Sequence, residues 1–365
     1  MWNIEKYREE LEAIVNIDSG SEDMEGIRRV AEILSGRLKN DGFFVETFDE
    51  GTRVQAKSHD EEDFDVLMVG HMDTVFPAGT AAERPYTEAD GLAHGPGVAD
   101  MKAGLLLAVT LAEKLRETRP DLRLCLAFNS DEEIGSARSI DWFCQLAAHG
   151  KYAFVFEPGR DGKGFVRSRK GGADLVARFK GIAAHAGVAP EKGANAIVEM
   201  ARWITALAAL QDLAAGTSVT AGVVSGGTAP NVVAEHGELK VDIRFRNPEE
   251  LDRIKAAAAQ LADTISVAGV QVQWEFLNEI PPMNPTQVTE ALMEKLDAAA
   301  SELGYEISWV DTGGVSDANH LAGTGLATIC GCGPCGGNLH SSEEFMVLES
   351  IEERLNLMYR LLSSL

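Results

Sequence analysis

His71 and Asp73 stand just past the apolar run Val66-Leu67-Met68-Val69-Gly70. An imidazole at the end of a buried strand is a plausible metal ligand, with the aspartate behind it fixing the ring's tautomer. Alone, the pair reads equally well as a turn capping the next element. Asp100 precedes the apolar segment 101–108, where the ordinary role is helix N-cap. Asp131, Glu132 and Glu133 follow the apolar strand 122–128. Three acids in a row there repel one another unless a cation or protons intervene. Glu157 ends the short apolar stretch 153–156, and His340 lies in the Gly-rich segment 336–344. One such placement is noise. Three buried strands and one helix start delivering His or carboxylate to loops suggest a shared site at the carboxyl ends of an α/β sheet.

Two histidines with several carboxylates suit zinc or a similar divalent ion, because imidazole favours zinc over magnesium. The donors are too many for one tetrahedral ion with an open position. Two ions about 3.5–4 Å apart would use them. Such a pair needs one bridging carboxylate and one acid left over as a base. Glu132 and Glu133 are adjacent, so one as ligand and one as base is the economical division.

These groups need a frame. Apolar periodicity predicts helices over 3–16 and 24–40, strands over 43–48 and 53–57, the strand ending at Gly70, and a loop over 76–99. It also predicts a helix to about 116 and the strands before Glu132 and Glu157. From about Gly171 the pattern changes to strand 173–180, helix 193–211, strands 217–225 and 232–246, helix 248–265 and strand 269–277. That βαββαβ order is ferredoxin-like and complete in itself, so it reads as an insertion. Helix 286–303, strands 306–310 and 326–330 and helix 347–363 follow. The expected domains are therefore 1–170 with 283–365, carrying the site, and 171–282.

A chain of 365 residues is long for a single core, which agrees with two domains. The net charge of −24 argues against nucleic acid and anionic membrane as partners, and selects no substrate. No run of 18 apolar residues predicts a membrane-spanning helix. The charged, amphipathic start of the chain lacks the apolar centre of a secretory signal, and five cysteines, an odd number, suit a reducing compartment. A cytoplasmic protein is expected.

Five ordered stretches carry a resemblance: Gly70–Phe76, Gly95–Lys102, Asn129–Ser136, Phe156–Pro158 and Leu339–Ser341. Together they resemble the co-catalytic zinc aminoacylase and glutamate carboxypeptidase superfamily, and most of all its glutamate carboxypeptidase (carboxypeptidase G) branch, over residues 5–363. The resemblance implies an α/β fold: a zinc-exopeptidase-type catalytic domain with an inserted α+β ferredoxin-like lid and dimerisation domain. It implies two Zn²⁺ per subunit, with Co²⁺ or Mn²⁺ as substitutes. Asp100 would bridge the ions, His71 and Glu157 would complete one, and Glu133 and His340 the other. Asp73 would orient His71, and Glu132 would be the general base. In the lid, His185 would serve the active site of a partner subunit, and Asn231 and Arg244 would bind substrate. Arg suits a carboxylate because its fork bonds bidentately, although Arg244 could simply pair with Asp242 or Glu235. Lys163 falls near a basic position of the same branch, and Gly313-Gly314 could offer backbone N–H groups to a carboxylate. The implied substrate is a small peptide or N-acyl amino acid, bound by a homodimer.

Some features depart from the pattern. Segment 276–281 has no basic residue, where glutamate-specific relatives can carry one. Cys330, Cys332 and Cys335 form a cluster outside the pattern, read as a structural loop rather than a soft-metal site. Cys125 and Cys144 read as core. The competing readings are an N-acyl-amino-acid deacylase or desuccinylase, which needs the same groups, and a non-enzymatic binding protein, which would be expected to have lost ligands. A dehydrogenase is disfavoured, because no Gly-x-Gly-x-x-Gly follows the first strand.

Overall fold

The computed structural model describes residues 2–160 and 163–365. Two compact units result: residues 1–168, 283–312 and 316–365 form one, and 169–282 with 313–315 the other.

The first unit is built on an eight-stranded sheet in the order 44–48, 53–57, 124–129, 64–71, 150–155, 327–330, 164–169, 308–312. Strand Phe64–His71 runs parallel to both Leu124–Asn129 and Gly150–Val155, and Ala327–Cys330 runs parallel to the last of these. Their apolar runs do not alternate with polar residues because both faces are covered. Val66 and Met68 pack into one core with helices Ile4–Val15, Met24–Asn40, Ala103–Thr118, Gln287–Leu303 and Glu349–Leu362. Leu67 and Val69 pack into another with helices Ile140–Ala147 and Asp317–Gly323. The carboxyl ends of the parallel strands lie together, with His71 opposite Asn129 and Val69 opposite Val155.

The stretch 76–99, expected as loop, contains strands Thr87–Ala89 and Leu92–His94. They join Gly336–Gly337 and Phe345–Val347 in a small antiparallel sheet, with Phe345 opposite His94. Strands of two or three residues carry no periodicity, so only the distant pairing reveals them. Strand Gly164–Arg169 and helices Ile140–Ala147 and Asp317–Gly323 were likewise not expected. Cys125 is buried, but Cys144 is exposed: helix Ile140–Ala147 turns Phe143, Leu146 and Ala147 inward, which leaves Cys144 on the outer face.

The second unit is a four-stranded antiparallel sheet in the order 218–226, 236–245, 171–180, 271–280. In sequence rank this is 2-3-1-4, the ferredoxin-like arrangement. Alternate residues Leu239, Val241, Ile243 and Phe245 enter its core beside helices Ala196–Ala208 and Pro248–Asp263. Trp203 meets Phe179 edge-on there, with ring centroids 5.6 Å apart.

Candidate metal centre and active site

The polar cluster is assembled from strand ends and the loops after them. His71 is the last residue of its strand and is buried. Its Nδ1 donates to the Asp73 carbonyl at 3.0 Å, which leaves the Nε2 lone pair for the centre of the cluster. The Asp73 side chain is fully buried and accepts from Ser21 Oγ at 2.7 Å and from the backbone N–H groups of Glu132 and Glu133 at 3.3 and 3.2 Å. It therefore holds both His71 and the loop of the two glutamates. Burial pushes the Asp73 carboxyl up, but His71, Ser21 and the backbone N–H of Glu133 outweigh it and hold it below its ordinary range.

The three consecutive acids divide their roles. Asp131 turns away and accepts from the Arg138 N–H at 2.7 Å and from the Ser139 hydroxyl, which ties the loop to the next helix. Glu132 and Glu133 lie on a single 3₁₀ turn closed by Gly135 at φ 91°, which lets both carboxylates face the cluster.

Asp100 sits between the two histidines. Its Oδ1 is 3.2 Å from His71 Nε2 and its Oδ2 is 3.2 Å from His340 Nε2. His340 Nε2 is also 3.2 Å from Glu133 Oε2, while His71 Nε2 is 3.9 Å from oxygens of both Glu132 and Glu157. Ligand atoms of His71, Asp100 and Glu133 fall within 4.8 Å of one another, as do those of His71, Glu132 and Glu157. Asp100 is thus no plain helix cap. A π-type turn, Val98–Lys102, precedes the helix, and the Asp100–Met101 peptide is cis. The helix start is pressed onto the strand end that delivers Glu157: a Cβ on Gly104 would lie 1.9 Å from the Phe156 carbonyl oxygen.

The electrostatics describe a site short of positive charge. Burial, and then neighbouring carboxylates, push Glu132 well above its ordinary range against the opposing effect of His71. Burial also raises Glu133. Hydrogen bonds donated by His340 to Asp100 and Glu133 lift it to about 10. Burial lowers His71, yet its bonds to Asp100 and Asp73 win and hold it well above the usual imidazole value. Glu133 Oε1 is buried with no hydrogen-bond partner. Two imidazoles and several crowded carboxylates, one of them with an unpaired buried oxygen, are a donor set that divalent cations fit.

A profile of peptidase family M20/M25/M40 matches residues 67–364. The chain belongs to this family. It is 29% identical over 365 residues to carboxypeptidase G2 of Pseudomonas sp. (strain RS-16), covering 97% of this chain and 88% of that one. It is 28% identical over 355 residues to succinyl-diaminopimelate desuccinylase of Bordetella parapertussis, covering 91% and 92%. Aminopeptidase PepT of Bacillus cereus shares the fold, with a TM-score of 0.78 over 99% of this chain and 98% of that one at 23% identity. This member of the family is accordingly an enzyme, a metallopeptidase or related amidohydrolase.

Of the other predicted residues, His185, Asn231, Arg244 and Gly314 belong to the second unit and Lys163 to the first. In the second unit, His185 is exposed and pairs across a β-bridge with Val232, and the Asn231 carbonyl accepts the Ala186 N–H at 2.9 Å. His185 and Asn231 are thereby neighbours. His185 Nδ1 accepts the Gly187 N–H at 3.1 Å, so the neutral ring carries its own proton on Nε2 as a donor. Arg244 forks onto Asp242, with Nη2 to Oδ2 at 2.7 Å, and the missing side chain of Gly172 makes room for its guanidinium. The Gly314 carbonyl accepts from Arg169 Nη1 at 3.0 Å. In the first unit, Lys163 is exposed and paired with Glu353 at 2.5 Å.

The cysteine cluster does not converge. Cys332 Sγ reaches the Ile329 carbonyl, Cys335 Sγ accepts from Arg354, and Cys330 Sγ faces Ser316 Oγ. Among the described residues, no group of three metal-type donors forms there.

Two buried acids tied to the loops of the cluster escaped the sequence reading. Glu344 is buried and accepts the backbone N–H groups of Gly97, Ala99 and Asp100 at 3.0, 2.9 and 3.0 Å, which ties the His340 loop to the Asp100 loop. Asp317 is buried beside Ser136, and burial pushes it up to about 7. An acid at the end of the Gly-rich loop 312–317 was the only signal for Asp317. Glu344 follows Glu343 in a polar stretch, and nothing in its neighbours marks it as buried.

Proposed function

We propose that the protein is a dinuclear zinc hydrolase that cleaves an amide bond beside a free carboxylate, most nearly a glutamate carboxypeptidase. The observation that carries this reading is Asp100, one oxygen turned to each histidine at equal distance. His71 and Glu157 would hold one ion with Asp100, and Glu133 and His340 the other. Bound there, the ions would polarise the amide carbonyl and lower the pKa of the attacking water.

The chain's own groups do the rest. Glu132 takes a proton from the attacking water and hands it to the leaving amine, a role its place in the cluster suits, with one carboxylate oxygen 3.9 Å from His71 Nε2. Asp73 fixes the His71 ring and the Glu132 backbone. His185 Nε2–H supplies a donor to the carbonyl oxygen in the active site of a partner subunit. Arg244 and Asn231 take the substrate carboxylate, with Arg244 exchanging Asp242 for it. Lys163 and Gly314 are the weaker substrate contacts, because the first must leave Glu353.

A homodimer formed through the lid fits its edge strand Ser218–Gly226, where Val223 and Val224 are half exposed. The substrate is a small peptide or N-acyl amino acid, handled in the cytoplasm. The second reading is a deacylase or desuccinylase, favoured by the name that several relatives carry.

Hydrolysis of a panel by zinc-loaded protein tests this. The panel holds benzoyl- and pteroyl-type glutamates, dipeptides, and acetyl and succinyl amino acids. Turnover of a C-terminal glutamate amide, lost in Glu132→Ala, is expected. Turnover of simple acyl amino acids alone would make the enzyme a deacylase, and no turnover with both metals bound would overturn the substrate class.

A further inference from the structure

Within the first unit, helix Glu349–Leu362 carries a buried cation that no carboxylate answers. Arg354 is 3% exposed, and its guanidinium lies over the Phe165 ring at 3.8 Å. Nη2 donates to the Gly164 carbonyl at 3.1 Å and to Cys335 Sγ at 3.6 Å, while Nη1 is buried with no hydrogen-bond partner. Among the described residues no ion pair neutralises it, in a chain whose net charge is −24. Arginine keeps its charge and is almost never this buried without a partner. Of the groups it bonds or stacks on, only Cys335 can become an anion. Cys335 is half-buried, Cys125, Cys330 and Cys332 are buried, and the exposed Cys144 shares a helix turn with the acidic Asp141. The sulfur of Cys335 also stands in a seam that holds candidate ligands. The Gly333 N–H donates to the Glu157 carbonyl at 2.9 Å, the Gly159 N–H to the Pro334 carbonyl at 3.0 Å, and the Gly336 N–H to the Gly159 carbonyl at 3.3 Å. His340 follows on the same stretch. Gly159 crowds the sulfur, since a Cβ there would lie 3.1 Å from Cys335 Sγ.

We propose that Cys335 is a modification site: hydrogen peroxide oxidises its thiol, and the oxidised form loosens the Glu157 side of the metal centre. The sulfur, as its anion, attacks one peroxide oxygen. An S–O bond forms, the O–O bond breaks, and the hydroxide that leaves takes the proton the thiol gave up, as water. Sulfur is oxidised by two electrons to the sulfenic acid, and the peroxide is reduced. Arg354 serves both ends of the step. Its Nη2 steadies the anionic sulfur, and its unpartnered Nη1 offers a donor to the oxygen that the sulfur gains. That oxygen needs space beside a sulfur that Gly159 already crowds, so residues 157–159 must give. Their bonds to 333–336 carry the shift to Glu157 and towards His340. The effect on zinc rests on the two-metal reading, and the oxidation itself does not.

The test exposes zinc-loaded protein to limiting hydrogen peroxide, traps sulfenic acid with dimedone and maps the label by peptide mass spectrometry. Cys335 should be labelled severalfold ahead of Cys144, although Cys144 is the more exposed. Cys335→Ser should lose that label. Label on Cys144 first, or none on Cys335, overturns the site. Calorimetric zinc titration then compares peroxide-treated with untreated apo-protein. Treatment should weaken zinc binding about tenfold in the wild type, the scale of disturbing a group behind a ligand, and leave Cys335→Ser unchanged. A labelled wild type with unchanged zinc affinity, or equal weakening in Cys335→Ser, overturns the link to the centre. If neither protein binds zinc before treatment, the metal reading fails, and the mapped label still decides the modification site.

Discussion

At the scale of single residues, the site depends on groups that hold ligands as much as on ligands. Glu344 is the clearest case, a buried carboxylate answering three backbone donors around Asp100. Truncation to alanine leaves those donors unpaired, at about 1–3 kcal/mol for a buried group. Glu344→Ala should therefore bind zinc about 10–100-fold more weakly, the usual effect of losing a partner behind a ligand. Calorimetric titration of the apo-protein measures this, and unchanged affinity would remove Glu344 from the site. His320 governs a different property. Burial lowers it to about 4, while an unfolded histidine titrates near 6.5. The unfolded chain takes up this proton first, so the contribution of neutral His320 is whole above pH 6.5 and lost as pH falls towards 4. The loss approaches about 3 kcal/mol. Urea unfolding of wild type and His320→Gln between pH 7 and 4 should show a shallower acid decline in the variant.

At the scale of elements, the active site is a matter of where strands stop. The strands were legible because their apolar runs are long and buried on both faces, and the polar residues that end them stand out. The ferredoxin-like insertion was legible from the order of its elements. What escaped was short or distant. The strand at 92–94 pairs with residues some 250 positions away, and Asp100 reads as an ordinary cap until His340 is placed beside it. Gly104 shows how closely the elements are fitted, with the Phe156 carbonyl where a Cβ would go. Gly104→Ala must push the helix from the strand end that carries Glu157. We expect a loss of about 1–3 kcal/mol, as for overpacking elsewhere, read as a lower urea midpoint, together with weaker zinc binding. A variant as stable as wild type would mean that the contact relaxes freely.

At the scale of the whole molecule, the inserted unit has its own core, and its first and last strands lie side by side, with Gly172 opposite Ile280. Its entry and exit therefore meet, and a short glycine linker can replace residues 171–282. The shortened protein should fold and bind zinc as the full chain does, yet turn over no substrate, because Arg244, Asn231 and His185 are gone. Retained turnover would show that the lid is dispensable. The small sheet that joins residues 92–94 to 345–347 has a consequence in time. During synthesis His71, Asp100, Glu133 and Glu157 leave the ribosome before the insertion is made, and His340 only after it. Glu344, which holds the Asp100 loop, and strand Ala327–Cys330, which flanks the strand before Glu157, also come after it. The centre therefore waits for the small sheet to close, ion capture acts as a receipt for complete translation, and chains arrested within the insertion should bind zinc far more weakly than finished chains.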